Sequence, residues 1–133
     1  MKGFHDDIEH LTVDNSDFRR VLYTGKHLQL VLMTLQPGEE IGAEVHKDRD
    51  QFFRFEEGEG EVDIDDNSYH VADGNGVIVP AGARHNVRNS GDVPLKLYTL
   101  YGPPEHKDGV VQETKDEAEE RHEHEEWDGE TTE

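Results

Sequence analysis

The chain has no cysteine and few basic residues, and each shortage excludes a class of protein. Without cysteine there is neither a disulfide framework nor a thiolate metal site, so any metal must be held by nitrogen and oxygen ligands. Only 13 lysine and arginine residues stand against 32 acidic residues, and the net charge is -19. Nucleic-acid binding needs clustered cations that neutralise phosphates, so we expect no nucleic-acid partner.

Long apolar runs are also missing. No stretch is long enough to cross a bilayer, and residues 1–10 are polar and acidic rather than basic and then apolar. We therefore expect a cytoplasmic protein with neither a leader nor a membrane partner. At 133 residues the chain is long enough for one domain with its own hydrophobic core.

The acidic excess is spread along the chain. Residues 112–133 contain 11 acidic and 2 basic residues, a net charge of -9, which leaves -10 of the total for residues 1–111. An acidic surface of this kind suits a high-salt habitat, where ions screen the self-repulsion. An ordinary acidic protein with an acidic tail explains the composition equally well.

Short apolar runs alternate with glycine, proline and aspartate turns from residue 18 onward, a pattern typical of all-β proteins. The predicted strands are 19–24, 27–35, 50–55, 60–64, 68–71, 76–79, 85–88 and 95–101. No long amphipathic helix interrupts them, which argues against a parallel sheet with crossover helices. The pattern predicts an irregular entry segment (1–17), a β-barrel domain (18–111) and an acidic C-terminal tail (112–133).

The C-terminal tail has one helix signal. Thr114 is followed three residues later by Glu117, which is a capping box and predicts a helix over 115–127. A continuous apolar stripe is lacking, and Trp127 is the main apolar residue. We expect a short acidic helix or a disordered tail whose removal leaves the barrel intact.

Four polar residues carry the candidate chemistry. Glu44 and His46 are two positions apart, so on a strand they face the same side. Gln51 begins the next apolar run, and His85 follows the turn at residues 80–82. A carboxylate, two imidazoles and an amide oxygen that converge inside a barrel make an open metal site, with positions left for water or substrate.

The spacing of these residues resembles the two motifs of the cupin superfamily. In the first motif, Gly38 and Gly58 enclose Glu44, His46 and Gln51. The second motif is matched at every position, by Gly74, Pro80, Gly82, His85 and Asn89. The resemblance implies an antiparallel double-stranded β-helix, the jelly-roll or cupin barrel.

The first motif departs from the family at two ligands, because the family's first histidine is Glu44 here and its glutamate is Gln51. The family's three histidines and one glutamate carry one negative charge, and so does the set in this chain, but with two oxygen donors instead of one. Harder donors favour manganese, iron(II) or zinc over copper. We expect one divalent ion at Glu44, His46, Gln51 and His85. The alternative is that His46 and His85 are hydrogen-bonded polar residues of a barrel without metal.

Two classes of function remain open. The first is a metal-dependent enzyme that isomerises a sugar or keto acid through a metal-bound enediolate, and the resemblance to the sugar-phosphate isomerase-like cupins favours it. A non-haem iron oxygenase is the rival enzyme, although the sequence assigns no arginine and tyrosine pair to the pocket. The second class is a non-catalytic module that binds or senses a small ligand, because no general base stands out beside the four ligands.

Several further residues are weaker candidates for the site. Tyr98, Tyr101, Arg54 and Arg84 are candidates for the pocket mouth, but strand parity does not decide which of them face inward. The isolated histidines, including the one at position 106, are predicted to lie on the surface or in loops. The two histidines within 122–124 are two positions apart, do not share a helix face, and are predicted to lie in a solvated tail.

The run 18–35 predicts an exposed barrel edge rich in strand residues. Such an edge is open to pairing with another copy of the chain, and cupins commonly dimerise in this way. We therefore expect a homodimer.

Overall fold

Two antiparallel β-sheets enclose a common core in the computed structural model, which describes residues 1–133. The strands are β1 (Arg19–Thr24), β2 (Gln29–Leu35), β3 (Glu44–Val45), β4 (Asp50–Glu57), β5 (Glu59–Ile64), β6 (Asn67–Ala72), β7 (Gly76–Val79), β8 (Arg84–Arg88), β9 (Leu95–Gly102) and β10 (Val111–Gln112). The six-stranded sheet has the order β10-β1-β2-β9-β4-β7, and the four-stranded sheet has the order β3-β8-β5-β6. The predicted all-β, double-sheet architecture is confirmed.

The core follows from the two-residue period of the strands. On β4, Phe53 and Phe55 are at most 1% exposed, and they face Val62 and Val87 of the smaller sheet across one buried cluster. The same period places Gln51 on the inward side of β4 at 3% exposure. One end of the barrel interior is therefore polar while the rest is hydrocarbon.

Two motif glycines and the motif asparagine have clear structural reasons. Gly58 has a φ of +89°, and a Cβ there would lie 2.6 Å from the carbonyl oxygen of Pro94, so only glycine fits. Gly82 has a φ of +91°, and its N–H donates to the carbonyl of His46. The buried Asn89 amide donates to the carbonyls of Leu35 and residue 93, which ties two loops together.

The entry segment, predicted to be irregular, contains the helix α1 (Ile8–Asp14). Asp7 caps this helix by accepting a hydrogen bond from the backbone N–H of His10. The helix packs on β2, β4 and β9, where Leu32 is only 2% exposed. Seven residues make about two turns, which is too short for a periodic apolar pattern to be recognised.

The C-terminal segment, residues 112–133, is attached to the barrel. β10 pairs with β1, and Gln112 is 1% exposed. The capping box at Thr114 starts a helix α2 (Lys115–Arg121), which continues as a 3-10 turn (His122–His124) and so ends before the predicted residue 127. Ala118 of α2 is 7% exposed and belongs to the core. The segment lacks an apolar stripe, but the pairing of β10 with β1 and the burial of Ala118 attach it to the barrel.

The last residues add further attachments. The N–H of Trp127 donates to the carbonyl of Glu105 at 3.0 Å, and the N–H of Thr132 donates to the carbonyl of Thr24 at 2.9 Å. The carboxylate of Glu133 accepts hydrogen bonds from the backbone of residues 2 and 3 and from the hydroxyl of residue 23. Neither α1 nor α2 has the length or apolar character of a membrane-spanning helix.

The run 18–35 is not an open edge. β1 lies between β10 and β2, and β2 lies between β1 and β9, so both have hydrogen-bonded neighbours on each side. The larger sheet ends in β10 on one side and in β7 on the other, and Ile78 of β7 is 68% exposed. The homodimer stays a prediction, but the edge on which it was based is covered within the chain itself.

Candidate metal centre

Three of the four predicted ligands meet at one point. Glu44 of β3 is the direct cross-strand partner of His85 on β8, so the pairing places both side chains on the inner face. His46 follows two residues after Glu44, and its carbonyl is held by the N–H of Gly82 at 2.8 Å. One donor atom from each of Glu44, His46 and His85 lies within 4.8 Å of the others.

Both histidines present the same ring nitrogen to this cluster. Nδ1 of His46 lies 3.6 Å from Glu105 Oε2, while its Nε2 lies 3.0 Å from Glu44 Oε2. Nδ1 of His85 lies 3.3 Å from the carbonyl of Ala83, which leaves its Nε2 for the cluster. Two ligands at about 2.1 Å from one ion stand about 3.0 to 3.4 Å apart. The spacing between Glu44 and His46 therefore matches two ligands of one ion.

The fourth predicted ligand, Gln51, lies on β4 directly opposite Tyr101 of β9. Its Nε2 donates to the hydroxyl of Thr99 at 3.0 Å, which orients the amide, while its buried Oε1 has no hydrogen-bond partner. Nε2 of His46 has the carboxylate of Glu44 as its only polar neighbour, at 3.0 Å. Buried polar atoms are nearly always satisfied. The unsatisfied oxygen of Gln51 beside the donors of the other three predicted ligands fits a divalent ion with nitrogen and oxygen donors.

Electrostatics link these groups. Burial acts to raise the pKa of Glu44, but His46 and the nearby positive charges of Arg19 and His85 hold that pKa below its usual range. Burial acts to lower the pKa of His46, yet Glu44 and Glu105 raise it above the ordinary histidine value. For His85, burial is the main cause of a lowered pKa. The pKa values of the two imidazoles are thus shifted in opposite directions.

We expect an NMR pH titration of the metal-free protein to separate the two histidines. His46 should titrate above pH 6.5 and His85 below it, as followed by their ring Cε1–H signals. The stabilising ion pair of His46 should be fully present below pH 6.5 and lost as the pH rises through its raised pKa. Because a ligand must be deprotonated to bind metal, metal affinity should fall as the pH is lowered through the same range. A titration of both rings at the same pH would contradict this electrostatic description.

Tyr101, a candidate for the pocket mouth, lies beside the cluster, and so do Glu105 and His106, to which the sequence assigned no role at the site. The ring of Tyr101 meets that of His46 edge-on, with centroids 6.0 Å apart, and its hydroxyl lies 3.3 Å from Nε2 of His106. Tyr101 has the parity of the buried residues Leu95 and Leu97 of β9, a signal that would have placed it inside. Glu105 and His106 belong to the loop after β9, where no periodicity applies.

A fully buried glutamine holds that loop in place. Oε1 of Gln29 accepts hydrogen bonds from the N–H groups of Glu105 and His106, at 3.1 and 3.0 Å. Its Nε2 donates to the carbonyl of His106 and to the hydroxyl of Thr24. Arg49 adds an ion pair to Glu105, with Nε 3.0 Å from Oε2. Glu105 is thereby held 3.6 Å from Nδ1 of His46, on the side of the ring away from the cluster.

The remaining candidates lie elsewhere. Tyr98 packs against Phe52, with ring centroids 6.4 Å apart, and Arg54 pairs with a glutamate of its own strand. Arg84 is exposed, as are the histidines of the turn 122–124. His106, predicted to be a surface or loop histidine, is in a loop but half-buried against Tyr101.

The profile of the cupin domain matches residues 31–101, more than half of the chain and all four candidate ligands. The chain belongs to the cupin family. This agrees with the two motifs and with the double-sheet barrel.

Similar proteins extend the cupin match beyond the domain itself. The chain is 46% identical to the uncharacterised protein YrkC of Bacillus subtilis over 88% of its own length and 66% of that protein. It is 39% identical to the uncharacterised protein L612 of Acanthamoeba polyphaga mimivirus over 75% of this chain and 65% of that one. The chain thus spans slightly less than two thirds of each of these curated relatives.

A solved structure covers nearly the whole chain. The crystal structure of BH2720 from Bacillus halodurans superposes with a TM-score of 0.88 at 46% identity, covering 90% of this chain and 95% of that chain. The match therefore includes most of the segments outside residues 31–101.

Proposed function

We propose that this cupin is a metal-dependent enzyme that moves a proton between adjacent carbons of a small hydroxycarbonyl metabolite. The observation that carries the proposal is the cluster of Glu44, His46 and His85, whose donor atoms lie within 4.8 Å of one another, beside the unsatisfied Oε1 of Gln51. When bound there, a divalent ion would polarise a carbonyl oxygen and hold two substrate oxygens. Manganese, iron(II) and zinc suit this mixed donor set.

Proton transfer needs a group that is not a ligand, and Tyr101, which is buried, together with His106, which is half-buried beside it, supplies one. Burial lowers the pKa of His106 well below its usual value, so the imidazole is neutral and able to accept a proton. Burial raises the pKa of Tyr101 far above its usual range, so its hydroxyl stays protonated and able to donate. In this assignment the oxygen of Tyr101 takes the proton from the substrate carbon as its own hydroxyl proton passes to Nε2 of His106, and the reverse relay delivers a proton to the neighbouring carbon. The hydrogen of the substrate hydroxyl moves to the former carbonyl oxygen, so the isomerisation leaves both residues as they began.

An iron oxygenase is the second candidate, and one feature favours it. Arg19 and Tyr101 both lie in the barrel interior, close enough for the charge of Arg19 to act on Tyr101. The sequence alone did not assign such a pair to the pocket. Uptake of dissolved oxygen by the iron(II)-loaded protein in the presence of a small metabolite would support this candidate over the isomerase.

The test is deuterium exchange in D₂O. Protein loaded with manganese or zinc is incubated with small hydroxyaldehydes, hydroxyketones and keto acids, and NMR follows deuterium incorporation next to the carbonyl. We expect incorporation with at least one compound and a rate about 100-fold lower in Tyr101→Phe, which removes only the hydroxyl. The matched control Tyr69→Phe removes an exposed hydroxyl from β6 and should not change the rate.

Two outcomes would contradict the enzyme proposal. Metal binding without exchange or oxygen uptake would indicate a module that binds a small ligand without turnover. Exchange that is unchanged in Tyr101→Phe would remove the assigned proton path.

A further inference from the structure

A buried arginine lies at the edge of the candidate metal centre and is not part of it. Arg19 of β1 is only 8% exposed, and its guanidinium stands over the ring of Phe18 at 5.2 Å. Its Nη1 donates to Oε1 of Gln112, the cross-strand neighbour on β10, at 2.8 Å. Its Nε is buried and has no hydrogen-bond partner. Because protein encloses Nε, a ligand in the neighbouring space would meet the Nη groups of the guanidinium instead.

Arg19 lines a small cavity next to the metal cluster. The cavity measures about 70 Å³, and its polar lining comes from Arg19, Glu44, Lys115, Glu119 and His122. Since a water molecule needs about 10 to 15 Å³ of such space, the cavity suits a ligand of a few heavy atoms. Arg19 and a predicted metal ligand, Glu44, therefore share one small space.

The charge balance of that space favours an anion. Glu44 supplies one negative charge, and Gln51 is neutral where the family pattern has a glutamate. A divalent ion together with the cation of Arg19 would exceed the charge of Glu44 by two. Glu119 also lines the cavity, but it is paired with Lys115 at 3.9 Å. Planar carboxylates are matched by the forked donors of a guanidinium.

We propose that Arg19 binds the carboxylate of a small hydroxy or keto acid whose other oxygen atoms face the metal cluster. The proposal rests on the proposed function for the metal and narrows its substrate class from sugars or keto acids to small carboxylates. It also gives the segment 112–133 a role, because Gln112 holds the guanidinium and α2 closes the cavity around it.

The test uses two probes of nearly the same shape, lactate and lactamide, of which only lactate carries a charge. Isothermal titration calorimetry measures both probes against manganese-loaded and metal-free protein. We expect wild type to bind lactate at least about 10-fold more tightly than lactamide. In Arg19→Gln, lactate affinity should fall about 10-fold to 100-fold, lactamide affinity should stay unchanged, and Arg19→Lys should keep part of the preference.

A matched control comes from the next residue of β1. Arg20 points to the outer face, is exposed, and pairs with Asp17 at 3.2 Å, so Arg20→Gln makes the same chemical change outside the cavity. It should bind both probes as wild type does. Circular dichroism and thermal unfolding verify that each variant is folded.

The outcomes distinguish the two proposals. Equal binding of lactate and lactamide to wild type, or binding of neither, overturns the role of Arg19 without reference to any variant, and so does a preference that persists in folded Arg19→Gln. Manganese binding with no lactate preference leaves the metal proposal standing. Absence of binding of manganese, iron(II) and zinc alike overturns the metal proposal, and the metal-free titrations then decide the role of Arg19 alone.

Discussion

Replacing His85 with alanine should reduce the affinity of the protein for manganese or zinc by more than about 100-fold. The substitution deletes a donor from a cluster that spans 4.8 Å, and changes to outer-shell residues alone typically cost 10-fold to 100-fold. Calorimetric titration of the metal into metal-free protein measures the effect. His70→Ala is the matched control, because His70 is an exposed histidine of the same sheet.

Two variants that exchange an amide and a carboxylate sharpen this prediction. Glu44→Gln keeps the shape of the side chain but removes the only negative charge among the four ligands, so affinity should fall strongly. Gln51→Glu adds a charge and should bind metal at least as well as wild type. Equal metal content in wild type, Glu44→Gln and His85→Ala would show that any metal is held elsewhere. The exposed histidines of the turn 122–124 would then be tested next.

Placing an aspartate at position 118 should lower the free energy of unfolding by about 2 to 4 kcal/mol. Ala118 is 7% exposed in the core cluster, and a carboxylate there would lose its hydration beside Phe18 and Ile41. The neighbouring cations Arg19 and Lys115 offset that cost only in part. Urea unfolding measures the difference. Glu120→Asp introduces the same side chain on the exposed face of α2 and should change stability by less than about 0.5 kcal/mol.

Removal of residues 113–133 should also lower the free energy of unfolding. The truncation deletes α2 and the hydrogen bonds that Trp127 and Thr132 make to the barrel. Wild-type stability in both the truncated chain and Ala118→Asp would instead support a dispensable tail, as composition alone suggested.

Local patterns predicted much of the barrel and its centre. Turn residues between the strands bounded β1 and β7 correctly, because glycine, proline and aspartate act within a few residues. The two-residue period brought Glu44 and His46 to one face. The pairing of Glu44 with His85 is a long-range contact, which spacing alone does not specify, and the family resemblance supplied it.

What escaped prediction depends on single contacts between distant segments. β10 is two residues long, and Gln112 acquires its role only through Arg19 on another strand. The loop at Glu105 is shaped by Gln29, which reads in the sequence as an ordinary strand residue. Ala118 buries too little surface to mark a helix as amphipathic. None of these contacts produces a periodic signal.

The attachment of Trp127 to the loop that carries Glu105 has a practical consequence. It is the only tryptophan in the chain, so its fluorescence reports a single place in the molecule. The N–H of Trp127 donates to Glu105, and its indole N–H donates to the carbonyl of Glu130, so both ends of the residue are held. Detachment of the segment 112–133 would release them and shift the emission to longer wavelength. The intrinsic emission of the unlabelled protein can therefore follow this segment in real time during ligand titrations.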